Sequence, residues 1–129
     1  MKKDIDFTPV KNVNVVVAKT DEGCKVFILN RSDQKLENVM ITSRGYGAIK
    51  NEEQKTSVLR HMVPYLDSGM HALIEPIDES VFHLNNEYWV SYFVDRQVYD
   101  KKFIFVPDSI IEDNLIFIEE LEMQGILHD

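Results

Sequence analysis

The sequence predicts an all-β fold, an immunoglobulin-like antiparallel sandwich of about seven strands followed by a C-terminal tail. Apolar and polar residues alternate with a period of two in short runs, which is the pattern of half-buried strands. Turn residues separate these runs, and no long helical pattern occurs before residue 108. The chain has 129 residues, 44% of them hydrophobic, which suffices for one domain with a buried core.

The seven strands follow from successive alternating runs, the first two of which are joined by the turn Asp21-Glu22-Gly23. The predicted strands span residues 13–17, 24–29, 36–41, 56–63, 70–77, 87–94 and 98–106. Their inward positions predict a core made of Val15, Val17, Val26, Ile28, Val39, Ile41, Ile74, Tyr88, Val90, Tyr92, Phe103 and Phe105. We expect this sandwich to occupy residues 1–107.

The tail, residues 108–129, differs in composition from the rest. It has seven acidic residues and no Lys or Arg, together with ten large apolar side chains. The sequence predicts a short helical turn near Ile110–Asn114 and then an extended segment, because Leu115-Ile116-Phe117-Ile118 is rich in β-branched and aromatic residues. The alternative is a helix after Asn114, since Ser109 and Glu112 have the spacing of a capping box and Gly125 could end a helix. So many apolar groups indicate that the tail docks on a surface.

The strand 87–94 supplies a candidate for that surface. Tyr88, Val90, Tyr92 and Val94 share one face, so Trp89 and Phe93 are predicted to point outward. An outward aromatic pair is a candidate contact patch. We expect Leu115, Ile116, Phe117 and Ile118 to dock on it, either within the chain or on a second copy, so that the protein has a protein partner or forms a homo-oligomer.

Charge and composition exclude several classes of partner. The net charge is −8, and residues 1–107 have 15 acidic against 14 basic residues, so no basic surplus exists for nucleic acid. No apolar run is long enough to cross a membrane. The single cysteine, Cys24, and a polar start, Met1–Asp6, favour the cytoplasm.

Motifs for catalysis, cofactors and metals are absent. Gly45-Tyr46-Gly47 lacks the third glycine of a dinucleotide-binding loop and is predicted to be a bulge or turn that ends a strand. The four histidines lack the spacing of a metal site. The sequence therefore predicts a non-catalytic binding or assembly module without cofactor or metal. The alternative is a small enzyme or ligand carrier with a site near the strands of His61 and His71.

Several stretches resemble a family of small uncharacterised bacterial proteins of about this length. These stretches are residues 39–45, 55–60, 84–88 and 125–127. Some members of that family carry a phenylalanyl-tRNA synthetase name. The resemblance implies, as a third possibility, an accessory role beside an aminoacyl-tRNA synthetase, for which this acidic chain offers no basic groove.

Overall fold

The computed structural model describes residues 10–129 and has two five-stranded antiparallel sheets that pack as a sandwich, which confirms the all-β prediction. The polar start Met1–Asp6 lies outside the described residues. The described residues form ten strands instead of seven: β1 (Val13–Thr20), β2 (Gly23–Asn30), β3 (Leu36–Ile49), β4 (Glu52–Lys55), β5 (Leu59–Leu66), β6 (His71–Ile77), β7 (Asn85–Val94), β8 (Gln97–Phe105), β9 (Ile116–Ile118) and β10 (Met123–His128). Short 3-10 turns occur at Glu79–Val81 and Glu112–Asn114.

The first sheet has the strand order β6-β2-β1-β10-β9, and the second has the order β4-β3-β7-β8. β5 also belongs to the second sheet and pairs with the first part of β3. β5 lies near β6, and β8 lies near β10, so these contacts set how the sheets face each other. We call the side of each sheet that points away from the other sheet its outer face.

The core between the sheets contains all twelve side chains that the sequence predicted for it, each of them buried. The alternation sets this outcome because every second residue of a strand faces the other sheet. Tyr88, for example, is buried on β7 while its neighbour Trp89 is exposed. The immunoglobulin-like form of the sandwich remains a prediction.

β3 corrects the prediction for Gly45-Tyr46-Gly47, because the strand continues through these residues to Ile49. A Cβ atom on Gly45 would lie 2.9 Å from Thr56 Cγ2, and one on Gly47 would lie 3.3 Å from Leu84 Cδ2. The two glycines thus give Thr56 and Leu84 room against the strand. The sequence predicted a bulge or turn at the glycines because their contacts with Thr56 and Leu84 cannot be seen in the local pattern.

The tail is built into the first sheet. Its 3-10 turn and its extended segment follow the order that the sequence predicted. β10 then pairs with β1, with Val17 opposite Ile126, and Ile126 joins the core between the sheets. The count of seven strands was wrong because it omitted β9, β10 and the polar β4. No helix in the described part of the chain is long and apolar enough to cross a membrane.

Candidate functional site

The outer face of the second sheet holds the aromatic pair that the sequence singled out. β7 presents Tyr88, Val90 and Tyr92 to the core, which leaves Trp89 and Phe93 on the opposite side. Trp89 is 44% exposed and Phe93 is 38% exposed. Their outward orientation agrees with the prediction.

Two methionines extend this apolar surface onto neighbouring strands. Met40 of β3 lies opposite Met62 of β5 and Ser91 of β7, in the row of residues between Trp89 and Phe93. Met40 is 43% exposed and Met62 60%. We name the surface formed by Met40, Met62, Trp89 and Phe93 the Trp89 face. The sequence analysis missed both methionines, although Met40 alternates outward between Val39 and Ile41.

Polar neighbours hold the indole of Trp89 in place. Its Nε1 donates a hydrogen bond to Asp100 Oδ1 at 2.9 Å. The Nζ of Lys102 lies 4.8 Å from the ring centroid, within the range of a cation–π contact. Register places Lys102 directly opposite Trp89 on β8, so both contacts come from the neighbouring strand. These two contacts therefore hold the ring in one orientation.

A buried carboxylate, that of Glu87, closes one end of the Trp89 face. Glu87 is two residues before Trp89 and is 3% exposed. Arg44 Nε donates to Glu87 Oε2 at 3.1 Å, and the Tyr46 hydroxyl donates to Oε1 at 3.3 Å. The hydrogen bond with Glu87, followed by its charge, raises the pKa of Arg44. The pair is thus a satisfied structural contact, and the carboxylate of Glu87 is not free to bind another cation.

The outer face of the first sheet is arranged differently, because the C-terminal hairpin covers it over β1 and β2, while Leu73 of β6 stays exposed. Val16 and Leu29 are fully buried there, together with Ile118 and Leu121 from the β9–β10 hairpin. Arg31, just after β2, forms an ion pair with Glu120 in the hairpin loop. The hairpin therefore folds over the strands and completes a second apolar cluster.

This arrangement corrects the prediction that Leu115–Ile118 docks on Trp89 and Phe93 within the chain. Ile118 packs on the outer face of the first sheet instead, and Leu115 lies against the core. Ile116 and Phe117 stay exposed. The tail joins the first sheet because β1 offers both a row of backbone hydrogen bonds to β10 and an apolar outer face, neither of which the sequence prediction considered. Docking on a second copy remains a prediction.

A second candidate region is a polar cluster between β5 and β6 at the edge of the sandwich. Glu75 Oε1 accepts a hydrogen bond from Ser43 Oγ at 2.8 Å and lies 2.7 Å from His61 Nε2. The hydroxyl of Tyr88 donates to Glu75 Oε2 at 3.1 Å. Burial, and after it the charge of Glu75, raises the pKa of Tyr88 well above its ordinary value. Sequence reasoning missed Glu75, although an isolated acidic residue within a largely apolar strand could have pointed to it.

The chemistry available to this cluster is limited. A cavity of about 300 Å³ adjoins it, lined in part by Ser43, Glu75 and Tyr88. Ser43 and His61 both contact the same carboxylate oxygen and not each other, so the imidazole is not set to activate the hydroxyl. His71 lies elsewhere, with its ring 6.0 Å from that of Phe27. The two histidines of the alternative site thus take part in separate contacts.

Cys24 lines two hollows at one end of the sandwich, with volumes of about 540 and 410 Å³. Burial raises the pKa of its thiol, which disfavours the nucleophilic thiolate. Among residues 10–129, no three His, Cys, Asp or Glu side chains converge as a metal site would require. A scan against protein-family models finds no match for this chain, and a search of curated proteins finds none either. The family resemblance proposed from the sequence therefore stays a prediction.

Proposed function

We propose that this sandwich is a non-catalytic binding module whose contact surface is the Trp89 face. The observation that carries the proposal is the contiguity of four large, exposed apolar side chains on one sheet face, which no described segment covers. Large apolar side chains on a sheet face are normally buried, and exposed positions are normally polar. An exposed apolar patch therefore marks a contact surface. Tryptophan and methionine are also enriched in protein interfaces.

The partner of this surface is a protein. A nucleic acid would need a basic face, and the chain has a net charge of −8. The single unpaired cysteine is consistent with a cytoplasmic module. A catalytic role finds less support, because Ser43 and His61 contact the carboxylate of Glu75 and not each other.

A site-specific photocrosslink tests the proposal. Ser91 lies between Trp89 and Phe93 on the same side of β7, so a photoreactive amino acid placed there would sample a bound partner. The matched control is Glu53 on the exposed strand β4. We expect a discrete adduct in living cells from position 91 and none from position 53.

Two companion variants make the result specific. Trp89→Ser and Met62→Ser should each reduce the adduct from position 91, because they remove exposed apolar contacts without opening the core. Equal labelling at positions 91 and 53, or labelling that ignores both variants, would contradict the proposed surface.

A further inference from the structure

The edge strand β9 presents a second exposed apolar surface. It pairs with β10 on one side only and forms the outermost strand of the first sheet. Phe117 is 61% exposed, the highest value among the large apolar side chains of residues 10–129, and its neighbour Ile116 is also exposed. We name Ile116 and Phe117 the β9 edge.

Acidic side chains surround the β9 edge. Glu112 and Glu120 are neutralised by ion pairs with Lys19 and Arg31. The other acids of the neighbouring segments form no ion pair with any described residue: Asp113, Glu119 and Glu122. The edge therefore presents Phe117 on one side of the strand and Ile116 on the other, with a net negative charge on the neighbouring segments.

The Trp89 face has a rim of the opposite charge. Arg60 lies opposite Thr42 in the row of Trp89, and Lys102 lies over the indole ring. Neither cation forms an ion pair with any residue in the described range, and Lys35 adds a third positive charge above the Tyr65 ring. Outside the neutral Arg44–Glu87 pair, these three cations outnumber the two acids of the same face, Glu37 and Asp100.

We propose that the occupant of the Trp89 face is a second copy of this chain, bound through its β9 edge. The proposal rests on the proposed function and names its partner. Both surfaces are apolar at the centre, and their rims carry charges of opposite sign, which favours the encounter of one with the other. Within one chain the contact is prevented, because β10 and the Arg31–Glu120 pair hold the hairpin on the first sheet.

The contact joins two different surfaces, so it is heterologous. One copy can use its β9 edge and its Trp89 face at the same time, which produces head-to-tail assembly into a ring or an open chain. This geometry differs from a dimer by exchange of the tail, because the tail stays in its own sheet.

A pair of complementary variants tests the assembly. Phe117→Ser removes the β9 edge and leaves the Trp89 face, while Trp89→Ser does the reverse. Both residues are exposed, so both variants should fold. We expect each variant alone to be monomeric by sedimentation, and an equimolar mixture to form a species of twice the mass and no larger, because each copy has one working surface.

The single tryptophan of the chain gives an independent readout. The Trp89→Ser variant has no indole, so all tryptophan emission from the mixture comes from Trp89 of the Phe117→Ser variant. Binding should shift this emission to the blue and reduce its quenching by acrylamide. Introducing Arg60→Glu into the Phe117→Ser variant should weaken the association about 3- to 10-fold. Unchanged affinity would overturn the proposed pairing of the two surfaces.

A mixture that stays monomeric up to about 1 mM, a range that includes weak association, would overturn the proposal. The photocrosslink from position 91 then separates the two levels of inference. An adduct with another protein leaves the binding module intact and rejects only the second copy. No adduct from position 91, together with monomers in the mixture, rejects both.

Discussion

On the outer face of the first sheet Val16 and Leu29 are fully buried, whereas on the outer face of the second sheet Trp89 and Met62 are exposed. Both faces carry large apolar side chains at alternate positions of their strands. The difference comes from the β9–β10 hairpin, whose Ile118 covers only the first sheet. An apolar outer face therefore favours a covering layer; the chain supplies that layer on the first sheet, and on the second sheet we propose that another molecule supplies it.

The largest expected effect is the loss of stability when a buried side chain of the β9–β10 hairpin is shortened. Ile118→Ala should lower the free energy of unfolding by about 2–5 kcal/mol, because it opens a cavity over the first sheet. The matched control is its neighbour Phe117→Ala, which should change stability by less than about 0.5 kcal/mol because the side chain is exposed. Urea unfolding of both variants measures the difference.

Similar losses of unfolding free energy for the two variants would contradict the proposed role of Ile118, because they would mean that the exposed side chain of Phe117 stabilises the fold as much. The measurement should be made at low protein concentration, where association through Phe117 does not add to stability.

A smaller loss of stability is expected at Gly125, where β10 packs closely against β1. A Cβ atom on Gly125 would lie 2.8 Å from Val16 Cγ2 and 3.0 Å from the carbonyl oxygen of Val17. Gly125→Ala should therefore lower stability by about 1–3 kcal/mol through overpacking. On the second sheet, Gly47→Ala should cost less than about 1 kcal/mol, because its nearest neighbour is the flexible end of Leu84.

Thermal unfolding of the two alanine variants compares the two sheets directly. A Gly125→Ala protein as stable as the wild type would indicate that the hairpin shifts easily, and that the cover of the first sheet is loose.

The smallest expected effect concerns the ion pair that fastens the hairpin loop. The hydrogen bond from Arg31 lowers the pKa of Glu120 below its ordinary value. The pair therefore stabilises the fold at neutral pH, and this contribution disappears as the pH falls through the lowered pKa. Glu120→Gln should cost less than about 1 kcal/mol at pH 7, because the pair is partly exposed.

The difference in stability between the wild type and Glu120→Gln should therefore shrink between pH 7 and about pH 3, as the pH falls past the ordinary carboxyl value towards the lowered pKa of Glu120. Urea midpoints at both pH values test this, with Glu122→Gln as the control because Glu122 has no ion pair with a described residue. A constant difference between Glu120→Gln and wild type at the two pH values would contradict the role of the charge.

Local alternation was enough to predict the core and the orientation of Trp89 and Phe93. It failed where tertiary contacts decide the outcome. β4 is entirely polar, so its four residues gave no strand signal and were ordered by pairing with β3. Gly125 weakened the strand signal of β10, and its close contacts with Val16, Val17 and Ile118 arise only when the strands pair.

The candidate site was predictable to a similar extent. Trp89 and Phe93 alternate within one strand, so their shared face was visible in the sequence. Met62 joins them only through the pairing of β5 with β3, and the contact of Glu75 with His61 and Ser43 links three strands. Contacts between strands far apart in sequence have no local pattern from which to infer them.

The pairing of β1 with β10 also bears on how the protein is made in the cell. Val15 lies opposite His128, so β1 can pair with β10 only after more than a hundred further residues have been synthesised. Until then, the open edge of β1 and the apolar side chains beside it are available to other nascent chains. Translation that stalls or stops before residue 123 would leave an aggregation-prone fragment, so the protein should depend on chaperones during its synthesis.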